Sequence, residues 1–267
     1  MSDYVPLSKT VHSKSGLVSA DCSFALEQTL VPVVAEELPQ VVPTMAIGFV
    51  QSVNGKSFEL VALQSLQAGV NVYVHTSGQW IGGYRPAWYR AHPFRLLKGK
   101  QSNRYVVCVN EASPAFEKNA SEQAVRLFDD EGNLTQRTQG ITGFLEKLQK
   151  ATAVTQALVR QLGDAGVVAP WPLTTRRSAK EEGQKIEGLY HIDEAALRAL
   201  NPDVLGQLVG SGALSVAYAQ LLSEHRLQGL SRLYGLRSEA NQQVKSASDV
   251  DLEDLFGEDD DDLSFNF

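Results

Sequence analysis

Residues 45–63 read Met-Ala-Ile-Gly-Phe-Val-Gln-Ser-Val-Asn-Gly-Lys-Ser-Phe-Glu-Leu-Val-Ala-Leu, and they decide the fold class. Residues 45–51, apolar up to the closing Gln51, suit a buried strand. Asn54-Gly55 supplies a turn in which both positions favour positive φ, and residues 58–63 return as the partner strand. Outward from this hairpin the β signal continues. Residues 70–75, Val-Asn-Val-Tyr-Val-His, alternate at period two, and Ser77-Gly78 marks the next turn. Residues 104–110 make another strand, and 127–135 read as strand, turn and further chain. Upstream, residues 1 to about 30 form an arm with a strand near 16–20. Residues 33–38 form a short helix ended by Pro39 or soon after, because proline breaks the helical ladder.

Downstream of Gly140 the period changes. Phe144, Leu145, Leu148, Ala151, Val154, Leu158 and Leu162 recur at three and four residues, the pattern of an amphipathic helix that Gly163 stops. Residues 167–173 are extended by their prolines, residues 176–185 are a charged loop, and 188–192 make one more strand. Asp193 then caps a helix, Asn201-Pro202 opens another, and residues 213–236 complete a helical part. The expected fold is α+β, with one unit over 1–240. It is β-rich and antiparallel over about 40–135 and helix-rich over about 140–237. A disordered acidic tail over 241–267 follows, too poor in apolar surface to offset its ordering entropy.

Charge is segregated. The 267 residues carry 31 acids and 24 Lys or Arg, but nine of the acids and none of the bases lie in 249–267. Without that stretch 22 acids face 24 bases, so the overall acidity describes the tail and not the body. No run approaches the ~20 apolar residues of a membrane-spanning helix, which excludes a permease role and membrane insertion. The first residues lack a basic start followed by an apolar core. With only Cys22 and Cys108, two free thiols in the cytoplasm are expected.

The densest segment is 78–94, Gly-Gln-Trp-Ile-Gly-Gly-Tyr-Arg-Pro-Ala-Trp-Tyr-Arg-Ala-His-Pro-Phe, with two of the three tryptophans. It resembles the SapC family of bacterial proteins, whose pattern is a Trp, then Tyr-x-Pro, then Arg-x-x-Pro-Phe. Trp80, Tyr84, Pro86, Arg90, Pro93 and Phe94 carry the match. The resemblance extends to Leu127-Phe128 with Gly132 and to residues 188–194, and covers about 5–238. It implies an accessory role. The family takes its name from surface layers, shares it with an unrelated peptide-transport permease, and has genes beside outer-membrane receptors and flavin-dependent enzymes resembling tryptophan halogenases. In physical terms the segment has two readings. The aromatics are core and Arg90 is paired, or Trp80, Tyr84, Trp88 and Arg90 form a recognition surface of the residue types enriched at binding hot spots.

The motifs of catalysis are missing. The five histidines show no metal-ligand spacing, there is no Cys-x-x-Cys, and neither a Gly-x-Ser-x-Gly elbow nor a phosphate-binding glycine loop occurs. No catalytic residue, metal ligand or cofactor is expected. Cys108, inside an apolar strand, reads as inert. Glu36 and Glu37 read as solvated surface acids, since adjacent helical residues point about 100° apart. Arg176, Arg177 and Lys180 are too small a basic patch for nucleic acid. In the tail, apolar residues punctuate the acids, and Leu255, Phe256, Phe265 and Phe267 suit a docking peptide for a protein partner. The expected function is a non-enzymatic accessory or binding protein. The alternatives are an enzyme or enzyme subunit with dispersed residues serving a flavin- or iron-dependent partner, and a surface-layer structural protein.

Overall fold

The computed structural model describes residues 4–52, 55, 57–99, 104–175 and 184–248, with backbone only at 175, 184 and 239–248. Its strands are β1 (Tyr4–Pro6), β2 (Gly16–Leu17), β3 (Leu30–Pro32), β4 (Ile47–Gln51), β5 (Phe58–Leu63), β6 (Phe94–Lys98), β7 (Tyr105–Asn110), β8 (Phe116–Glu117), β9 (Val125–Arg126), β10 (Val168–Pro170), β11 (Thr174–Thr175), β12 (Gln184–Lys185) and β13 (Leu189–Ile192). The helices are α1 (Leu38–Val41), α2 (Ala87–Ala91), α3 (Gln136–Asp164), α4 (Glu194–Arg198), α5 (Pro202–Ser211), α6 (Ala213–Ser223) and α7 (Leu227–Ser248).

The expected hairpin is the centre of the molecule. β4 pairs antiparallel with β5, Phe49 opposite Leu60, inside a five-stranded sheet of order β10-β13-β4-β5-β3. Gly55 sits at φ +69° in the connection, and Asn54 lies outside the described residues. A second sheet runs β1-β7-β6 and a third, small one β8-β2-β9. All of these pairings are antiparallel. The helices gather in the C-terminal part, as the change of period anticipates.

Two apolar clusters hold the chain together. One joins Met45 and the sheet residues Ile47, Phe49 and Leu63 to Val159 and Leu162 of α3, Leu208 of α5, Val216 of α6 and Leu230 of α7. The other joins Phe94, Val109, Phe116 and Leu127 to Leu145, Leu148 and Ala151 of α3. α3 therefore spans both. Segment 80–94 lies on the seam, giving Tyr89 to one cluster and Ala87, Ala91 and Phe94 to the other.

Four local expectations fail, each for an identifiable reason. Residues 70–75 are not a strand. Asn71 is fully buried, its Oδ1 accepts from Tyr73 N (2.9 Å) and its Nδ2 donates to Ala25 O (3.1 Å), so a side chain makes the turn. Only the single bridge Val74↔Trp80 is extended pairing. The short helix does not span 33–38: a 3-10 turn at Ala35–Glu37 leads into α1, which ends at Val41, and Pro39 occupies its first turn, where no N–H is required. α3 starts two turns before its apolar stripe because Thr135 caps it, accepting from Thr138 N. Helix also continues past 240, since α7 runs to Ser248. Residues 249–267, with Leu255, Phe256, Phe265 and Phe267, and the basic loop with Arg176, Arg177 and Lys180 lie outside the described residues.

Among the described residues no single helix is long and apolar enough to cross a membrane. Pro202–Ser211 and Ala213–Ser238 reach that measure only as a pair bent by 89°. Gly212 at the bend is left-handed, φ +88°, and Leu208, Ala213, Val216 and Ala217 beside it are buried in the core.

Candidate functional site

The site begins with a buried carboxylate. Glu37 closes the 3-10 turn that precedes α1 and is 5% exposed. Its Oε1 accepts from Val34 N (2.9 Å), and its Oε2 accepts from Ala87 N (2.9 Å) and from the Tyr84 hydroxyl (2.9 Å). Glu37 thus satisfies orphan N–H groups at the starts of two helical elements, which is why a carboxylate is tolerated there. The expectation that Glu36 and Glu37 are both solvated fails for Glu37, while Glu36 is exposed. The sequence does not separate the two, because two of the three partners of Glu37, Tyr84 and Ala87, lie 47 and 50 residues onward.

Tyr84 connects this carboxylate to the surface. Arg90 Nη2 donates to the Tyr84 hydroxyl at 2.8 Å, and the guanidinium lies 5.4 Å from the Tyr84 ring and 5.3 Å from the Phe144 ring. Burial, reinforced by the Glu37 charge, pushes the Tyr84 phenol up to about 12, so it keeps its proton and donates. Arg90 stays exposed, held over two aromatic faces.

Of the four residues singled out by the aromatic segment, the structure joins only Tyr84 and Arg90. Trp80 packs on Tyr73 (5.9 Å) and Tyr89 (5.7 Å) and is half-buried. Gly82 lies so close beneath it that a Cβ there would meet the indole at 2.9 Å. Trp88 turns to the other side of α2. Arg95 stacks over it at 4.5 Å, and it borders a small slot of about 90 Å³ shared with Phe58 and Thr152. The four therefore do not form one continuous face.

What the structure does assemble is a cleft of about 770 Å³ between residues 17–24, residues 85–94 and the first turns of α3. Tyr89 and Phe94 lie buried at its floor, and half-buried Phe24 and Phe144 flank them. Three exposed cations, Arg85, Arg90 and Arg137, line it, against Asp21 as the acid among its lining residues. Asp21 accepts from Ser23 N and Ser23 Oγ, and these bonds lower its carboxyl below the usual range. Arg85 reaches to 3.5 Å from Cys22 Sγ, whereas Arg137 has no polar or ring partner among the described residues. A second groove of about 420 Å³, bordered by Gln40, Lys147 and Leu148, shares Arg90 and Phe144 with the first.

His92 lies in the cleft wall with its ring stacked on Phe24, centroids 3.7 Å apart and planes 5° from parallel, and Nε2 2.8 Å from Ser113 Oγ. Burial, with Arg95 nearby, lowers it to about 4, so the ring is neutral at pH 7. Burial pushes the Cys108 thiol up, as expected of an inert strand cysteine. Among the described residues no group of three or more His, Cys, Asp or Glu side chains is placed to hold a metal ion. Arg85 lay within the segment the sequence singled out. Glu37, Phe24, Arg137 and Phe144 did not, and their only signal is proximity made by the fold.

These features define an α+β protein with an arginine-lined aromatic cleft at the seam of two apolar clusters. The chain belongs to the SapC family, whose sequence pattern matches residues 7–230. That span contains every cleft residue and stops short of the acidic tail. Comparison with curated proteins and with solved structures finds no match.

Proposed function

We propose that the chain is a non-enzymatic accessory protein that engages a protein partner through this cleft, gripping a segment rich in acids and aromatic or aliphatic side chains. One observation carries the proposal: three exposed arginines surround a floor of phenylalanine and tyrosine, with Asp21 engaged by Ser23. Arginine pairs with carboxylates in two-toothed fashion and stacks on aromatic rings, so the same side chains serve both halves of such a segment. The tail, through Leu255, Phe256, Phe265 and Phe267, is a second partner-engaging element in the same role.

The test is affinity capture from the native host, read by mass spectrometry. The baits are the intact chain, the Arg85→Ser/Arg137→Ser chain, and a chain truncated after Lys245. Loss of one protein from the arginine variant, with its melting temperature unchanged, supports the cleft as a partner site. Equal capture by intact and variant chains overturns it. Loss on truncation alone assigns the contact to the tail.

A further inference from the structure

We infer that residues 249–267 of the same chain dock in the arginine-lined cleft when no partner holds it, an arrangement that rests on the binding role proposed above. The complementarity is in charge and in side-chain type. The 19 residues carry nine acids and no Lys or Arg, with Leu252, Leu255, Phe256, Leu263, Phe265 and Phe267 between the acids. The cleft offers Arg85, Arg90 and Arg137 over Phe24, Tyr89 and Phe144. Arg137 is an exposed cation without a partner among the described residues, and exposed Arg90 already lies 5.4 Å and 5.3 Å from the centres of the Tyr84 and Phe144 rings.

Reach is sufficient. Arg237 on α7 donates to the carbonyls of Asn71 and Val74, and Asn71 Nδ2 lies 3.4 Å from the hydroxyl of Tyr89, a cleft residue. From Ser248, where α7 ends, an extended chain of this length spans about 60 Å. A folded body of this size has a radius of gyration of about 18 Å. Tethering sets an effective concentration on the order of 1 mM. A segment with an intrinsic Kd of about 0.1 mM then fills the cleft about 90% of the time, and a partner must displace it.

The experiment uses the full chain and hydrogen exchange read by mass spectrometry over residues 17–24, 85–94 and 136–144. In the Phe256→Ser/Phe265→Ser/Phe267→Ser chain these segments should exchange up to tenfold faster than in the parent. Raising salt to about 0.5 M should bring the parent toward the variant, because screening weakens the arginine–carboxylate pairing. A captured partner that contacts the cleft and not the tail should also bind the variant about tenfold more tightly. Equal exchange in parent and variant at low salt overturns the inference. Protection that grows with protein concentration also overturns it, assigning the occupant to the tail of a second copy. If exchange is unaffected while Arg85→Ser/Arg137→Ser still loses its partner, self-docking fails and the partner site stands. If the arginine variant keeps its partner, the partner site itself fails.

Discussion

Replacing Glu37 by alanine tests the architecture of the site at its root. The carboxylate accepts from Val34 N, Ala87 N and the Tyr84 hydroxyl, each at 2.9 Å, and Val34 and Ala87 are 5% and 4% exposed. Alanine leaves two buried N–H groups without acceptors, at about 1–3 kcal/mol each, and the half-buried Tyr84 hydroxyl turns to water at smaller cost. The expected loss is about 3–5 kcal/mol. At roughly 2–4 °C per kcal/mol for a body of this length, the midpoint should fall by about 6–20 °C. Glu36→Ala is the control: its side chain is exposed and the change should stay within about 0.5 kcal/mol. Thermal melts by circular dichroism and urea titrations with an unchanged slope read both values. Glu37→Gln should fall between, keeping one acceptor oxygen but turning an amide NH₂ toward donors. Equal stability of Glu37→Ala and the parent, or equal damage from Glu36→Ala, would refute the account of the buried hub.

Three further outcomes are expected. Arg95→Ala should destabilise by about 1–2 kcal/mol and shift tryptophan emission, because the guanidinium stacks on Trp88 at 4.5 Å and donates to the Tyr4 hydroxyl at 3.1 Å. Lys at this position should rescue only in part. Because His92 is held at about 4 against an ordinary 6.5, the unfolded chain takes up a proton first as pH falls, so stability should drop between about pH 6.5 and pH 4. Complete burial would make that drop about 3 kcal/mol; solvent screening of the half-exposed ring reduces it to about 1–2 kcal/mol. His92→Gln should flatten the profile in that window, and an unfolding free energy from urea titrations that falls equally in variant and parent between pH 7 and pH 4 would contradict the assignment. Gly48→Ala should cost about 1–3 kcal/mol in thermal melts, since its Cβ would meet the buried Trp171 ring at 2.9 Å and Tyr190 O at 3.1 Å.

Elements whose causes are local were legible in the sequence. The β4–β5 hairpin, the Asp193 cap that accepts from Ala196 N, and Asn201-Pro202 at the start of α5 all follow from a few adjacent residues. Residues 70–75 were misjudged because an alternating pattern is overridden by Asn71, whose amide bonds Ala25 from 46 residues away. Glu36 and Glu37 look alike in the sequence, and only packing against Tyr84 and Ala87 tells them apart. The aromatic segment announced itself by composition. Composition does not show that Trp80 faces Tyr73, that Trp88 faces Arg95, and that only Tyr84 and Arg90 meet. The cleft takes Phe24 from the N-terminal arm and Arg137 and Phe144 from α3, so no window of sequence contains it.

The most direct test of the partner site is a titration of the captured partner into the intact chain and the Arg85→Ser/Arg137→Ser chain at about 50 and 300 mM salt. The account predicts that the substitutions weaken binding at least tenfold at low salt and that the intact chain loses affinity as salt rises. Equal affinities for the two chains, with no response to salt, would contradict it.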